Sequence, residues 1–201
     1  MSLHSQLWEK LREEGAEAFC RRTGAELEAE TGCLTLAALH GTLVLNAAEE
    51  RLEWAAEGDL CPEEFPELSL QASALNYLLS AKEIPLAHKW IGPQELPEGE
   101  MFLRGPHGLP VGLLEEAFGN APEAFGRAAE TLGGGRLTFA DLSYEFQVFP
   151  RVKLAVLLWR GDDEFPARVR FLVDETMSRH LAIDAVLAVT HIVTERLIAS
   201  A

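Results

Sequence analysis

Cysteine is scarce in this chain of 201 residues. The three present, Cys20, Cys33 and Cys61, stand far apart and include no CxxC pair. The usual zinc- and cluster-binding spacing is therefore absent, and at most one disulfide could form. They read as thiols of a reducing compartment, small apolar residues partly buried. Bases are scarce as well. Against 32 Asp and Glu stand 17 Lys and Arg, a formal net charge of −15. Such a surface repels phosphate backbones and anionic headgroups, which argues against nucleic acid and membrane surface as partners. Also lacking is a basic-then-apolar leader, since the first turns carry Glu9, Glu13, Glu14 and Glu17. The one long uncharged run, Thr31 to Ala48, contains Gly32, His40, Gly41 and Asn46. It reads as two short strands around a turn, not as a membrane helix. The expectation is a soluble, cytoplasmic protein.

Known catalytic signatures are missing too. Gly133-Gly134-Gly135 leads into Arg136 without the lysine and hydroxyl of a P-loop. No Gly-x-Ser-x-Gly elbow and no His-Glu-x-x-His occurs. Arg160-Gly161-Asp162 spells an adhesion tripeptide by coincidence.

What is present is an ordinary globular composition, 48% hydrophobic and 24% charged, in a length suited to one domain. Apolar spacing predicts a helix over 3–22 stopped at Gly24, then a small antiparallel meander over 34–36, 43–45 and 51–54. An acidic, proline-bearing loop over 55–67 precedes a second helix over 68–81. Residues 83–100 hold Pro85, Pro93 and Pro97 and read as a long, ordered, irregular segment. A short strand is expected at 101–103, and two helices at 110–118 and 122–132. Strands follow over 143–149, 153–160 and 168–173, the middle one central because Leu154 to Trp159 is almost wholly apolar. A buried helix over 183–198 closes the chain. The pattern is α+β: one domain over 1–201, mostly antiparallel sheet packed by several helices, with a possible internal boundary near 133–135.

Three groups of residues could carry chemistry. His180/Asp184 and His191/Glu195 are spaced to share a helix face, where a carboxylate could orient an imidazole or share a metal, although two ligands without a third make a weak site. The run Asp162-Asp163-Glu164 after a buried strand could meet a cation or a cationic ligand, or could be a solvated turn. Tyr77, His88 and Trp90 combine aromatic walls with polar groups beside the irregular segment, as a small-ligand pocket needs. No catalytic or metal-binding residue is assigned, and no cofactor.

Two blocks carry a resemblance. One is Leu75-Asn76-Tyr77-Leu78-Leu79 with Ile84-Pro85-Leu86, Lys89-Trp90-Ile91 and Glu95-Leu96-Pro97. The other is Phe149-Pro150-Arg151-Val152-Lys153-Leu154 with Leu158-Trp159, Gly161 to Ala167 and Phe171-Leu172-Val173-Asp174. Together they resemble a prokaryotic family of domains of unknown function common in anaerobes. Some of its members are labelled putative iron–sulfur cluster proteins because a separate cysteine-rich domain precedes this one. This chain has no such cysteine cluster, so that label does not transfer. The resemblance implies an accessory domain near anaerobic redox or cofactor-dependent metabolism.

The expected function is a non-catalytic accessory module. It would bind a small molecule or a redox partner through a surface formed by Tyr77, His88, Trp90, Arg151, Asp162, Asp163 and Glu164. One alternative is a cofactor-handling enzyme of unrecognised type, with His88 or His180 as acid–base and Asp174 or Asp184 holding the imidazole. Another is a structural subunit of an oligomer, with a large flat apolar face.

Overall fold

The computed structural model describes residues 2–39, 41–56, 67–104 and 108–201. His40, His107, Cys61 and most of the expected acidic loop lie outside them. The first helical stretch is two helices, α1 (Leu3–Glu14) and α2 (Ala16–Thr23). Gly15 separates them at φ 76°, a conformation that costs a residue with a side chain about 1 kcal/mol or more. The amphipathic spacing continues across the break, so the sequence reads as one helix. Ser2 caps α1 by accepting from the Ser5 N–H, and α2 ends at Gly24.

Sheet A is the expected meander, β1 (Glu26–Leu27), β2 (Leu34–Ala38), β3 (Gly41–Asn46) and β4 (Arg51–Ala56), antiparallel in chain order. Leu34, Leu36, Ala38, Leu43 and Leu45 alternate onto its buried face. Helix α3 (Glu67–Ser80) leads to β5 (Trp90–Ile91) and a 3-10 turn at Pro93–Glu95. The strand expected at 101–103 is instead α4 (Gly99–Phe102). Glu98 turns the chain at φ 65°, and Gly99 lies so near the Pro93 carbonyl that a Cβ would sit 2.3 Å from its oxygen. Three apolar residues are too few to fix a period against that turn.

Helices α5 (Val111–Phe118) and α6 (Pro122–Thr131) run into β6 (Gly135–Arg136). Then come β7 (Leu142–Phe149), β8 (Val152–Trp159), β9 (Arg168–Asp174), a 3-10 turn at Met177–Arg179 and α7 (Ile183–Ala199). Sheet B is antiparallel in the order β5-β9-β8-β7-β6, with β8 central. Val152, Leu154, Val156 and Leu158 are fully buried on its inner face. Each such side chain stabilises by about 1.5–3 kcal/mol. The architecture is α+β. One contiguous apolar cluster runs from Leu7 on α1 to Leu197 on α7 and includes both sheets. The sheets are tied where the Leu39 N–H donates to the Val148 carbonyl, 2.8 Å away. No helix among the described residues is long and apolar enough to cross a membrane.

Candidate functional site

Strand β8 has a distinctive structure at each end. At its start, residues 82–89 form a strap with no regular secondary structure between α3 and β5. Proline at 85 removes a donor, so the strap's backbone groups must find side-chain partners. Residues from sheet B and the turn after it supply them. The Asp174 carboxylate accepts from the Ala87 N–H (3.1 Å) and the His88 N–H (2.7 Å), and from the Thr176 N–H and hydroxyl. Arg151 donates through Nη1 to the Ile84 carbonyl (3.1 Å), and through Nε and Nη2 to the carbonyls of Arg22 and Arg21 at the end of α2. A cation at a helix C-terminus also complements the helix dipole. Tyr77 is fully buried, stacks on Phe149 with ring centroids 4.8 Å apart, and donates to the Thr23 carbonyl at 2.6 Å. Burial pushes its phenol well above the ordinary range, against the opposing pull of Arg151.

His180 completes this junction. Its side chain is fully buried, Nδ1 accepts from the Lys82 N–H at 3.4 Å, and Nε2 has no partner. Burial, and then the Arg151 guanidinium, lower its pKa to about 4 against the pull of Asp174, so the imidazole is neutral. For Asp174, burial is the largest influence and acts to raise the pKa. The hydrogen bonds from Thr176, Ala87 and His88 together outweigh it and hold the carboxyl below its ordinary range. His180 sits in the turn before α7, so it and Asp184 do not share a helix face; Asp184 accepts from the Ala185 N–H.

The far end of β8 is the hairpin tip, residues 160–167. Asp162 folds it: its Oδ1 accepts from the N–H groups of Glu164 and Phe165 at 2.9 and 2.7 Å. This is the Asx turn that a short acid at a turn start favours. Those two bonds lower the Asp162 pKa. Glu115 on α5 accepts from the Val169 N–H (2.9 Å), satisfying β9 beyond the two residues that β5 pairs. Between α5 and the tip lies an open depression of about 540 Å³, lined by Glu115, Asn120, Asp162, Asp163 and Phe165 with small neighbours. Phe165 is 66% exposed. Asp163 and Glu164 are exposed and meet no cation among the described residues.

The seven residues expected to form one surface therefore fall into two groups. Tyr77, His88, Trp90 and Arg151 gather at the strap, with Tyr77 wholly inside. Asp162, Asp163 and Glu164 lie a strand length away, roughly 25 Å at 3.3 Å per residue. Glu115 and Asn120 were not legible as lining residues, because they come from α5 and the turn after it, well upstream in the chain, and carry no local signal. Among the described residues no three His, Cys, Asp or Glu side chains converge as a metal site would require.

Residues 16–196 match the DUF3786 family, a domain of unknown function. The chain is a DUF3786 domain. The match runs from the start of α2 into the last turn of α7, so the DUF3786 unit contains both the strap and the tip. Neither the curated proteins nor the solved structures gave a match to the chain.

Proposed function

We propose that this DUF3786 domain is a non-catalytic, cytoplasmic accessory module of anaerobic, cofactor-dependent metabolism, and that the hairpin tip of β8–β9 is its docking site. The occupant is a redox or cofactor-handling partner, or a small ligand, that presents a basic group to Asp163 and Glu164 and an apolar surface to Phe165. One observation carries the reading. Phe165 stands two-thirds exposed over an open depression, on a loop that Asp162 already holds in shape. An exposed aromatic on a preformed loop costs little to order on binding. The acid–base alternative on His180 has less support, because the imidazole is buried away from solvent and Asp174 is committed to four donors.

The test is native mass spectrometry of protein purified without oxygen from its own host, comparing the unaltered chain with Phe165→Ala and Asp163→Ala. Both variants should unfold within about 0.5 kcal/mol of the parent, as exposed substitutions do. The expected result is a retained partner or adduct that either variant loses. Full retention by both folded variants would sink the assignment to the tip.

A further inference from the structure

Sheet B has a second face, turned away from the core. Ala155 and Leu157 on β8 are buried on it but take no part in the apolar cluster. The register sets Glu145 and Leu172 beside Ala155, and Ser143 and Arg170 beside Leu157. Trp159 and Arg168 form the next pair on this face toward the hairpin. Lys153 and Glu145 share the face and pair at 2.8 Å. Arg168 and Arg170 are exposed and meet no carboxylate among the described residues. That is unusual for a chain with 32 acids against 17 bases. Exposed Arg12, Arg51, Arg104 and Arg160 each reach a glutamate.

We infer that this face docks an acidic segment of a partner protein. Alternate residues of a strand project to the same side, so the two guanidinium groups stem from positions roughly 7 Å apart. Carboxylates on alternate residues of an extended segment have the same spacing. Each guanidinium can hold one of them through two parallel hydrogen bonds. Trp159, 36% exposed, offers an apolar floor to the methylenes of such side chains. Arginine and tryptophan are among the residues that most often carry binding energy at protein interfaces. A sheet face also lacks the concavity that encloses a small molecule. The net charge of −15 repels the long phosphate backbone of a nucleic acid. A short acidic segment brings only a few charges, and physiological salt screens those more than about 8 Å away. The inference goes beyond docking at the hairpin tip and does not rest on it, because the residues differ and the occupant carries the opposite charge.

The test is fluorescence anisotropy of a labelled peptide of alternating Glu and Val, about ten residues long, at about 0.15 M salt. The unaltered chain should bind it saturably with Kd below about 1 mM. R168E/R170E should weaken binding at least about tenfold, and W159A severalfold. R127E/R136E makes the same charge change at exposed arginines elsewhere and should stay within about twofold of the parent. Absence of saturable binding overturns the inference. Equal weakening by the two double variants also overturns it, because net charge alone would then explain the binding. Tighter binding of a single-stranded oligothymidylate of the same length overturns it too, and assigns the face to nucleic acid. None of these results bears on partner retention by Phe165→Ala or Asp163→Ala, so the two readings fail separately.

Discussion

The strap and the hairpin tip use the same kinds of residue at opposite ends of one strand. Each has carboxylates, an arginine, an aromatic and a proline in irregular backbone. At the strap the polar groups turn inward: Asp174 meets four donors, and all three guanidinium nitrogens of Arg151 meet carbonyls. At the tip, among the described residues, only the Asp162 carboxylate is engaged that way; Asp163 and Glu164 face solvent without a cation, and Arg160 reaches out to Glu123. The difference teaches that an unusual polar cluster is a docking candidate only to the extent that its own backbone leaves it unsatisfied. A satisfied cluster stabilises the fold, and its removal is felt as stability. An unsatisfied one on the surface contributes little to folding, and its removal is felt in binding.

Asp174→Ala tests that contrast with the largest effect. The side chain is nearly buried, and the substitution orphans two strap N–H groups together with the Thr176 donors. An unsatisfied donor costs about 1–3 kcal/mol when buried and less where water reaches it, as at exposed Ala87 and His88, so a loss of about 2–3 kcal/mol is expected from urea unfolding. If Asp174→Ala and Asp163→Ala cost the same, the two ends of β8 do not differ as described.

Acid should expose the next effect. His180 has its folded pKa lowered to about 4, against about 6.5 for a free imidazole. The unfolded chain therefore binds a proton that the folded chain refuses. Stability from this group is complete above about pH 6.5 and falls as the pH drops toward 4, by at most about 3 kcal/mol. His180→Gln keeps an acceptor for the Lys82 N–H and should flatten the urea midpoint across that window. Asp174 acts lower still: its pKa is depressed, so its contribution persists above about pH 4 and is lost as the pH falls through the folded value. An undiminished slope between pH 6.5 and 4 in His180→Gln would assign the acid response to other groups.

Much of this architecture was legible in the sequence where elements are long. Strands β7, β8 and β9 and helix α7 are each seven residues long or more, enough to reveal a period. The two-residue strands β1, β5 and β6 were not legible, since they exist only because a longer neighbour offers its edge. The site residues were legible as types but not as roles. Arg151 was visible as an unusual arginine, but its carbonyl partners on α2 lie 129 and 130 positions away. Nothing local separates a guanidinium that meets backbone from one that meets a ligand. Phe165 stands exposed although it closely follows a buried strand. A turn closed by Asp162 leaves the side chain three positions on with no reason to be inside.

The smallest effect is the sharpest probe of the boundary between the two ends. His88 lies on the strap with φ 54°, the left-handed region that side chains other than glycine's adopt at a cost of about 1–2 kcal/mol. Its backbone N–H donates to Asp174, and its exposed imidazole has no partner among the described residues. If the strap is purely structural, His88→Gly should keep that hydrogen bond and relieve the strain. The greater freedom of glycine in the unfolded chain offsets part of the gain. A net stabilisation of up to about 1 kcal/mol is expected, raising Tm by about 2 °C in calorimetry. His88→Val, β-branched at the same φ, should be less stable than the parent. A glycine variant less stable than the parent would mean that the imidazole contributes something its backbone position does not explain. His88 would then belong with the outward-facing residues of the tip.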